Sequence, residues 1–219
     1  MISALAFYAL GLSGPASAQT VDDVAAEWEL KRDRDGIAVF TTPVAGSKFK
    51  AVKATMTVES SLNALVALVQ DTGACPEWAA HCKAAEVIDQ VNDQEMFVYT
   101  LNDMPWPVSD RDAVAHVRWQ QDPETLQIVM SATLAPDKAP RVKGNVRLTY
   151  GETSWEFAPA QDGQVIVTSR AHIDPGGATP AWLTNRLLVD APFDTLRGMR
   201  SLLATGRYAE LEYDFVTEP

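Results

Sequence analysis

The residues whose types could do chemistry are few: three histidines, two cysteines and some arginines in strand-like surroundings. Cys75 and Cys82 lie close together, with His81 beside the second. A closed zinc site takes four ligands, and a nucleophilic thiol needs a base that a third group orients. No fourth ligand or orienting group is evident nearby, so a disulfide is the expectation if the chain is exported. By the chain-entropy relation such a small loop is worth roughly 2.5 kcal/mol. His116, His172, Arg147 and Arg170 all fall in strand-like segments. An acid–base set must converge on a substrate in a cleft, and nothing in the spacing of these four makes them do so. Surface or structural roles are expected for them, with a carboxylate partner for a partly buried Arg170. The pattern assigns no catalytic residue, no metal and no cofactor.

The elements that would position a site are organised around Met104-Pro105-Trp106-Pro107-Val108-Ser109-Asp110-Arg111-Asp112. Each proline fixes its own φ and holds the preceding residue extended, so this is a stiff connector. Ser109-Asp110 is a turn-type pair, and Asp112 to Gln120 has strand composition. Taken alone, the stretch reads as a proline-stiffened turn with a solvated ion pair.

Before it, Val24, Ala25, Trp28 and Leu30 suggest a short helix running into a strand, and Asp35-Gly36 suggests a hairpin turn. Val52, Ala54, Met56 and Val58 share one face of a strand over Phe49 to Val58. Ser60 or Ser61 caps a helix carrying Leu62, Leu65, Val66 and Val69, with Gly73 at its end. From Glu86 the chain is a run of β-like segments: Glu86 to Val91, Glu95 to Leu101, Asp112 to Gln120, Leu126 to Ala132, Val142 to Phe157 and Gln164 to Asp174. Short turn-rich links imply an antiparallel meander. Thr179 and Pro180 then open a final helix whose residues Leu183, Leu187, Ala191, Thr195, Met199 and Leu203 form a stripe. Pro192 predicts a kink in it, and the acidic sequence after Gly206 predicts a frayed tail.

A chain of 219 residues with 47% hydrophobic content suits one domain with a sizeable core. A net charge of −11 and a pI near 4.6 argue against nucleic acid and against broad docking on anionic lipid. Residues 1–18 read as a secretory signal, with an apolar stretch from Ile2 to Leu12 and an Ala16-Ser17-Ala18 cleavage site. The mature chain is therefore expected in the periplasm or outside the cell, as a monomer. Its organisation reads as a domain over residues 19–206 and a tail over residues 207–219.

On the strand from Asp112, Ala113, Ala115, Val117 and Trp119 share one face, and Val114, His116 and Arg118 the other. If the small residues face inwards, they leave an apolar hollow able to take a ligand. Filling by larger side chains from elsewhere is the alternative. On the next strand Met130 alternates inwards with Leu126, Ile128 and Ala132.

The string Pro105-Trp106-Pro107-Val108-Ser109-Asp110-Arg111-Asp112 resembles the central signature of the START (StAR-related lipid transfer) domains, in a bacterial, single-domain form. Asp174-Pro175-Gly176-Gly177 with Pro180-Ala181-Trp182-Leu183-Thr184-Asn185 resembles the family's lead-in to its last helix, and Pro76-Glu77-Trp78 resembles the segment after its first. The resemblance spans roughly residues 28 to 204. It implies an α+β helix-grip fold, a curved antiparallel sheet closed by a long C-terminal helix around an apolar cavity. It also implies a ligand site at Ala113, Ala115, Val117, Trp119, Met130, Leu183, Leu187, Ala191, Thr195 and Met199. The loop holding Pro136, Lys138, Pro140 and Arg141 would be a lid over the cavity mouth. In several relatives an arginine further along the strand enters the cavity. Here Val117 takes that position, which favours a more apolar pocket. The expected function is non-catalytic carriage of one hydrophobic small molecule or lipid, with transient membrane contact. A cyclase or hydrolase on the same fold, or a ligand-free interaction module of the envelope, are the alternatives.

Overall fold

The computed structural model describes residues 27–177, Leu183 and residues 186–219. The expected leader, the helix around Val24 and Ala25, and the helix start at Thr179 and Pro180 lie outside the described residues. β1 (Glu29–Arg34) and β2 (Ile37–Pro43) form a hairpin whose turn residues Asp35 and Gly36 have φ of 55° and 71°. That left-handed pair matches a two-residue turn to the twist of its strands. β3 (Lys50–Glu59) completes a three-stranded half-sheet.

The chain then leaves through α1 (Leu62–Gln70) and the four-residue α2 (Cys75–Trp78). The Ser61 hydroxyl accepts the Ala64 N–H at 3.1 Å and so caps α1. β4 (Cys82–Asn92), β5 (Glu95–Asn102), β6 (Arg111–Gln121) and β7 (Ile128–Leu134) follow as a meander. β8 (Val146–Arg147) is a short parallel partner of the start of β6, and β9 (Gly151–Pro159) and β10 (Gln164–Ile173) return to β3. The order is β1-β2-β3-β10-β9-β7-β6-β5-β4, an open sheet. The segment expected as one strand from Val142 to Phe157 is thus two strands. Gly151, at φ 155°, lets the backbones meet: a Cβ there would stand 2.9 Å from the Ile173 Cα.

α3 (Ala191–Leu203) lies across the inner face of the sheet and follows a π-helical turn at Arg186–Asp190. At the position where a kink was expected from Pro192, the helix changes type, from π to α. Pro192, the second residue of α3, follows that turn directly and cannot donate a backbone N–H to its carbonyls. The core joins Phe193, Leu196 and Met199 of α3 and Leu62, Leu65 and Leu68 of α1 to the inward residues of the strands. α3 is clasped from the side by a loop that the Cys75–Cys82 disulfide closes. The Ala80 N–H donates to Thr195 Oγ1 at 3.0 Å, and a Cβ on Gly198 would come within 2.4 Å of the Trp78 carbonyl oxygen. Only glycine fits there.

The tail expected to fray is fastened instead. Tyr208 is buried and donates its hydroxyl to the Asp71 carboxylate, and burial first, then that carboxylate, pushes its phenol up to about 12. The Tyr213 N–H donates to the Asn63 side chain at 2.8 Å. The Glu218 carboxylate accepts the N–H groups of Leu62 and Asn63 at 3.0 and 2.8 Å, at the positive end of α1. Acidic composition suggested a solvated end, but one of those acids is the cap of a buried helix. Deleting Tyr213 to Pro219 is expected to lower unfolding free energy by about 2 kcal/mol in urea denaturation, from the lost cap and the lost aromatic packing. An unchanged midpoint would show that these contacts contribute nothing.

Candidate functional site: a pocket at one end of the sheet

Arg111 and Asp112 open β6 and point to opposite faces of it. Both are buried, and neither forms the solvated pair expected from sequence. The Arg111 guanidinium donates to the carbonyl oxygens of Ser109 at 2.6 Å and of Pro175 and Gly176 at 3.3 Å each. The two stretches singled out in the sequence therefore touch. Burial lowers the Arg111 pKa, and the neighbouring Asp110 charge opposes that shift. On the other face the Asp112 carboxylate accepts from Arg147 at 2.9 Å. Arg147 also donates to the carbonyls of Pro136, Ala139 and Pro140 at 2.7 to 3.0 Å.

A pocket of about 220 Å³ opens beside Arg111. Its walls come from one end of the sheet: Phe49, Lys50 and Val52 at the start of β3, Ala171 and Ile173 at the end of β10, and Asn102 and Arg111 across the β5–β6 pair. Met104, Leu148 and Pro175 line it from the connecting loops, and Ala80 and His81 from the disulfide loop. Leu187, Leu188 and Ala191, from the π-helical turn and the first residue of α3, complete it. Ala80 and His81 also border an outer groove between α2 and α3, so that segment is a wall shared by pocket and groove.

Of the ligand residues expected from sequence, Leu187 and Ala191 line this pocket. Val117, Trp119, Met130 and Met199 lie in the packed core, and Leu183 and Ala113 are buried without lining the pocket. Ala115 packs against the core from a half-buried position, and Thr195 holds the disulfide loop. The inward face was assigned correctly, but the hollow lies further towards the start of β6. Extending the alternation Trp119, Val117, Ala115, Ala113 back by one step reaches Arg111. That signal was present in the sequence, and the reading stopped one step short of it.

The loop expected as a lid is held by contacts of its own. Pro136, Lys138, Pro140 and Arg141 do not line the pocket. The loop is tied to Arg147 by its own carbonyls, and Lys138 reaches over the outward Phe97 ring, 4.1 Å from its centroid, to pair with Asp89 at 2.7 Å. The other polar candidates are structural. His116 meets Glu95 at 2.6 Å and stacks on Phe97, His172 meets Ser47 at 3.0 Å, and Arg170 pairs with Glu156. The cysteines are joined as the sequence suggested. Among the described residues, no group of three His, Cys, Asp or Glu side chains is placed to hold a metal.

An open antiparallel sheet gripped by a C-terminal helix, with an apolar pocket under the start of that helix, defines a helix-grip protein. The chain matches the START domain over residues 16–207 and belongs to that family. It is 31% identical to an uncharacterised protein of Pseudomonas aeruginosa over 200 residues, covering 91% of this chain and 95% of the relative. It is similar to the crystal structure of a STAR-related lipid transfer protein from Xanthomonas axonopodis, with 33% identity and a TM-score of 0.74, covering 81% of this chain and 98% of that one. It is also 25% identical to the phosphatidylcholine transfer protein of Mus musculus over 169 residues, covering 73% of this chain and 76% of the relative.

Two predictions follow from the anchors of β6. Arg147→Met leaves the Asp112 carboxylate buried without its partner and is expected to cost about 3–5 kcal/mol in denaturant unfolding. A loss under about 1 kcal/mol would show that water reaches that carboxylate. The Met104 N–H and, next, Lys83 hold the Asp110 carboxyl below the ordinary aspartate range. A depressed folded pKa gives stability that is present above the unfolded pKa and lost as pH falls through the folded one. Side-chain carboxyl NMR should therefore show Asp110 titrating below a free aspartate, with protection of the Met104 amide lost over the same interval. Asp110→Asn should abolish that interval.

Proposed function

We propose that the chain binds one hydrophobic molecule reversibly in this pocket and carries it through an aqueous compartment, without covalent chemistry. The observation that carries the reading is the pocket itself. Its walls are mainly aliphatic and aromatic, and three of its residues come from the helical segment that closes the fold. Family membership supports it, since two of the relatives are lipid transfer proteins by name. The residues 1–18 leader reading places the carrier in the periplasm or outside the cell, where the Cys75–Cys82 disulfide is stable.

The energetics suit loading and unloading. At ~30 Å³ per water-sized group, the pocket takes about seven methylene-sized groups, and burying seven methylenes releases about 6 kcal/mol relative to water. Transfer from a membrane releases far less, because lipid tails already lie in an apolar medium. The volume is below the ~300 Å³ at which ordinary ligand pockets begin. A longer cargo therefore requires the wall formed by Leu187, Leu188 and Ala191 to move outwards. A π-helical turn, a geometry frequent at functional sites, stands where that movement would occur.

Native mass spectrometry of the chain purified from its own envelope, followed by denaturing extraction, is expected to release one apolar molecule per chain. Leu187→Trp or Ala191→Trp, which fill the pocket, should lower that occupancy at least about tenfold with the fold retained by circular dichroism. An empty wild-type chain that also fails to take up fluorescent fatty acids and sterols would overturn carriage.

A further inference from the structure

The polar part of the pocket wall is small and centres on one guanidinium. Arg111, His81 and Asn102 come together because β4, β5 and β6 begin or end at the same level: Cys82 is the register partner of Asn102, and Asn102 of Arg111. Lys50 contributes a further wall, with its ammonium directed towards Glu29 at 3.8 Å. Among the described residues, no aspartate or glutamate lines the pocket, in a chain whose net charge is −11. The remaining walls, among them Val52, Leu148, Ile173 and Leu187, are apolar.

We propose that the cargo is an amphiphile with an anionic, carboxylate-type head, its head seated on the Arg111–Asn102–His81 end of the pocket and its tail against the aliphatic walls. This rests on the carrier reading and names the ligand class. A carboxylate entering an apolar pocket loses hydration, and charge-assisted hydrogen bonds from a guanidinium are the interactions able to offset that loss. Arg111 is suited to the role because its backbone acceptors fix the guanidinium plane before any ligand arrives, so little rotamer freedom is lost on binding. A cationic head meets the opposite situation: desolvation with like charge beside it. Neutral heads gain hydrogen bonds only.

The test compares three molecules with one tail, octanoate, 1-octanol and octylamine, by isothermal titration calorimetry at neutral pH. Wild type is expected to bind octanoate about tenfold or more tightly than 1-octanol, with octylamine the weakest. Substituting Arg111 would also loosen the loop that it anchors, so the variant of choice is Asn102→Asp. This near-isosteric change sets a carboxylate beside Arg111 and leaves the guanidinium's backbone contacts in place. It should weaken octanoate about tenfold more than it weakens 1-octanol. If 1-octanol equals or exceeds octanoate in wild type, or if Asn102→Asp leaves octanoate unchanged, the head-group assignment is overturned and carriage stands. If none of the three binds, the carrier reading of this pocket falls and the assignment with it.

Discussion

The structure depends on two adjacent side chains that leave β6 in opposite directions. Arg111, on the inner face, holds the carbonyls of Pro175 and Gly176, and so ties the start of β6 to the segment that leads into the closing helix. Asp112, on the outer face, holds Arg147, which in turn gathers three carbonyls of the loop after β7. Neither arrangement is simple charge pairing. Both use a guanidinium to satisfy several buried backbone acceptors at once, in loops where no neighbouring strand could do so. The prolines on either side explain why: Pro105, Pro107, Pro136, Pro140 and Pro175 remove backbone donors from these same loops.

This division of labour also bears on the loop expected as a lid. A buried ion pair adds little net stability compared with an apolar substitute, but it punishes alternative arrangements strongly. The loop after β7 is bound to such a pair by three hydrogen bonds, and Lys138 adds a further tether on the outer face. A segment with so many specific contacts is suited to holding geometry. The wall made by the π-helical turn and Ala191 is tied by one ion pair, Arg32 to Asp190 at 2.6 Å, and otherwise meets the pocket with Leu187, Leu188 and Ala191.

Much of this was legible in the sequence. Period-two alternation identified the inward faces of β3, β6 and β7, and the Asp35-Gly36 turn and the Ser61 cap followed from local backbone chemistry. The disulfide followed from spacing and compartment. What could not be read was where two distant segments meet. Arg111 looked solvated because charged residues usually are, and only the arrival of the Pro175 and Gly176 carbonyls from the far end of the chain makes its burial tolerable. The tail failed for the same reason: the acidic composition of Glu210 to Glu218 argues for solvent, while the use of Glu218 as a cap for α1 is a tertiary fact. Val117 and Met130 were misplaced by distance along the strand, a coordinate that alternation does not carry.

That coordinate separates stability from binding. From Arg111 to Trp119 along β6 is about 26 Å at ~3.3 Å per residue. At the Trp119 end, Trp119, Met130 and Phe157 are large, buried and part of the same core as residues of α1 and α3. At the Arg111 end, Ala80, Ala171 and Ala191 stand among the walls of the pocket, and space remains. A single sheet thus has a filled end that keeps the domain folded and an unfilled end where the proposed cargo would sit. The two are joined by strands whose hydrogen bonds do not depend on what the pocket holds. Because the apolar cost of an empty pocket is confined to one end, the folded state can tolerate both the loaded and the unloaded condition, which reversible carriage requires.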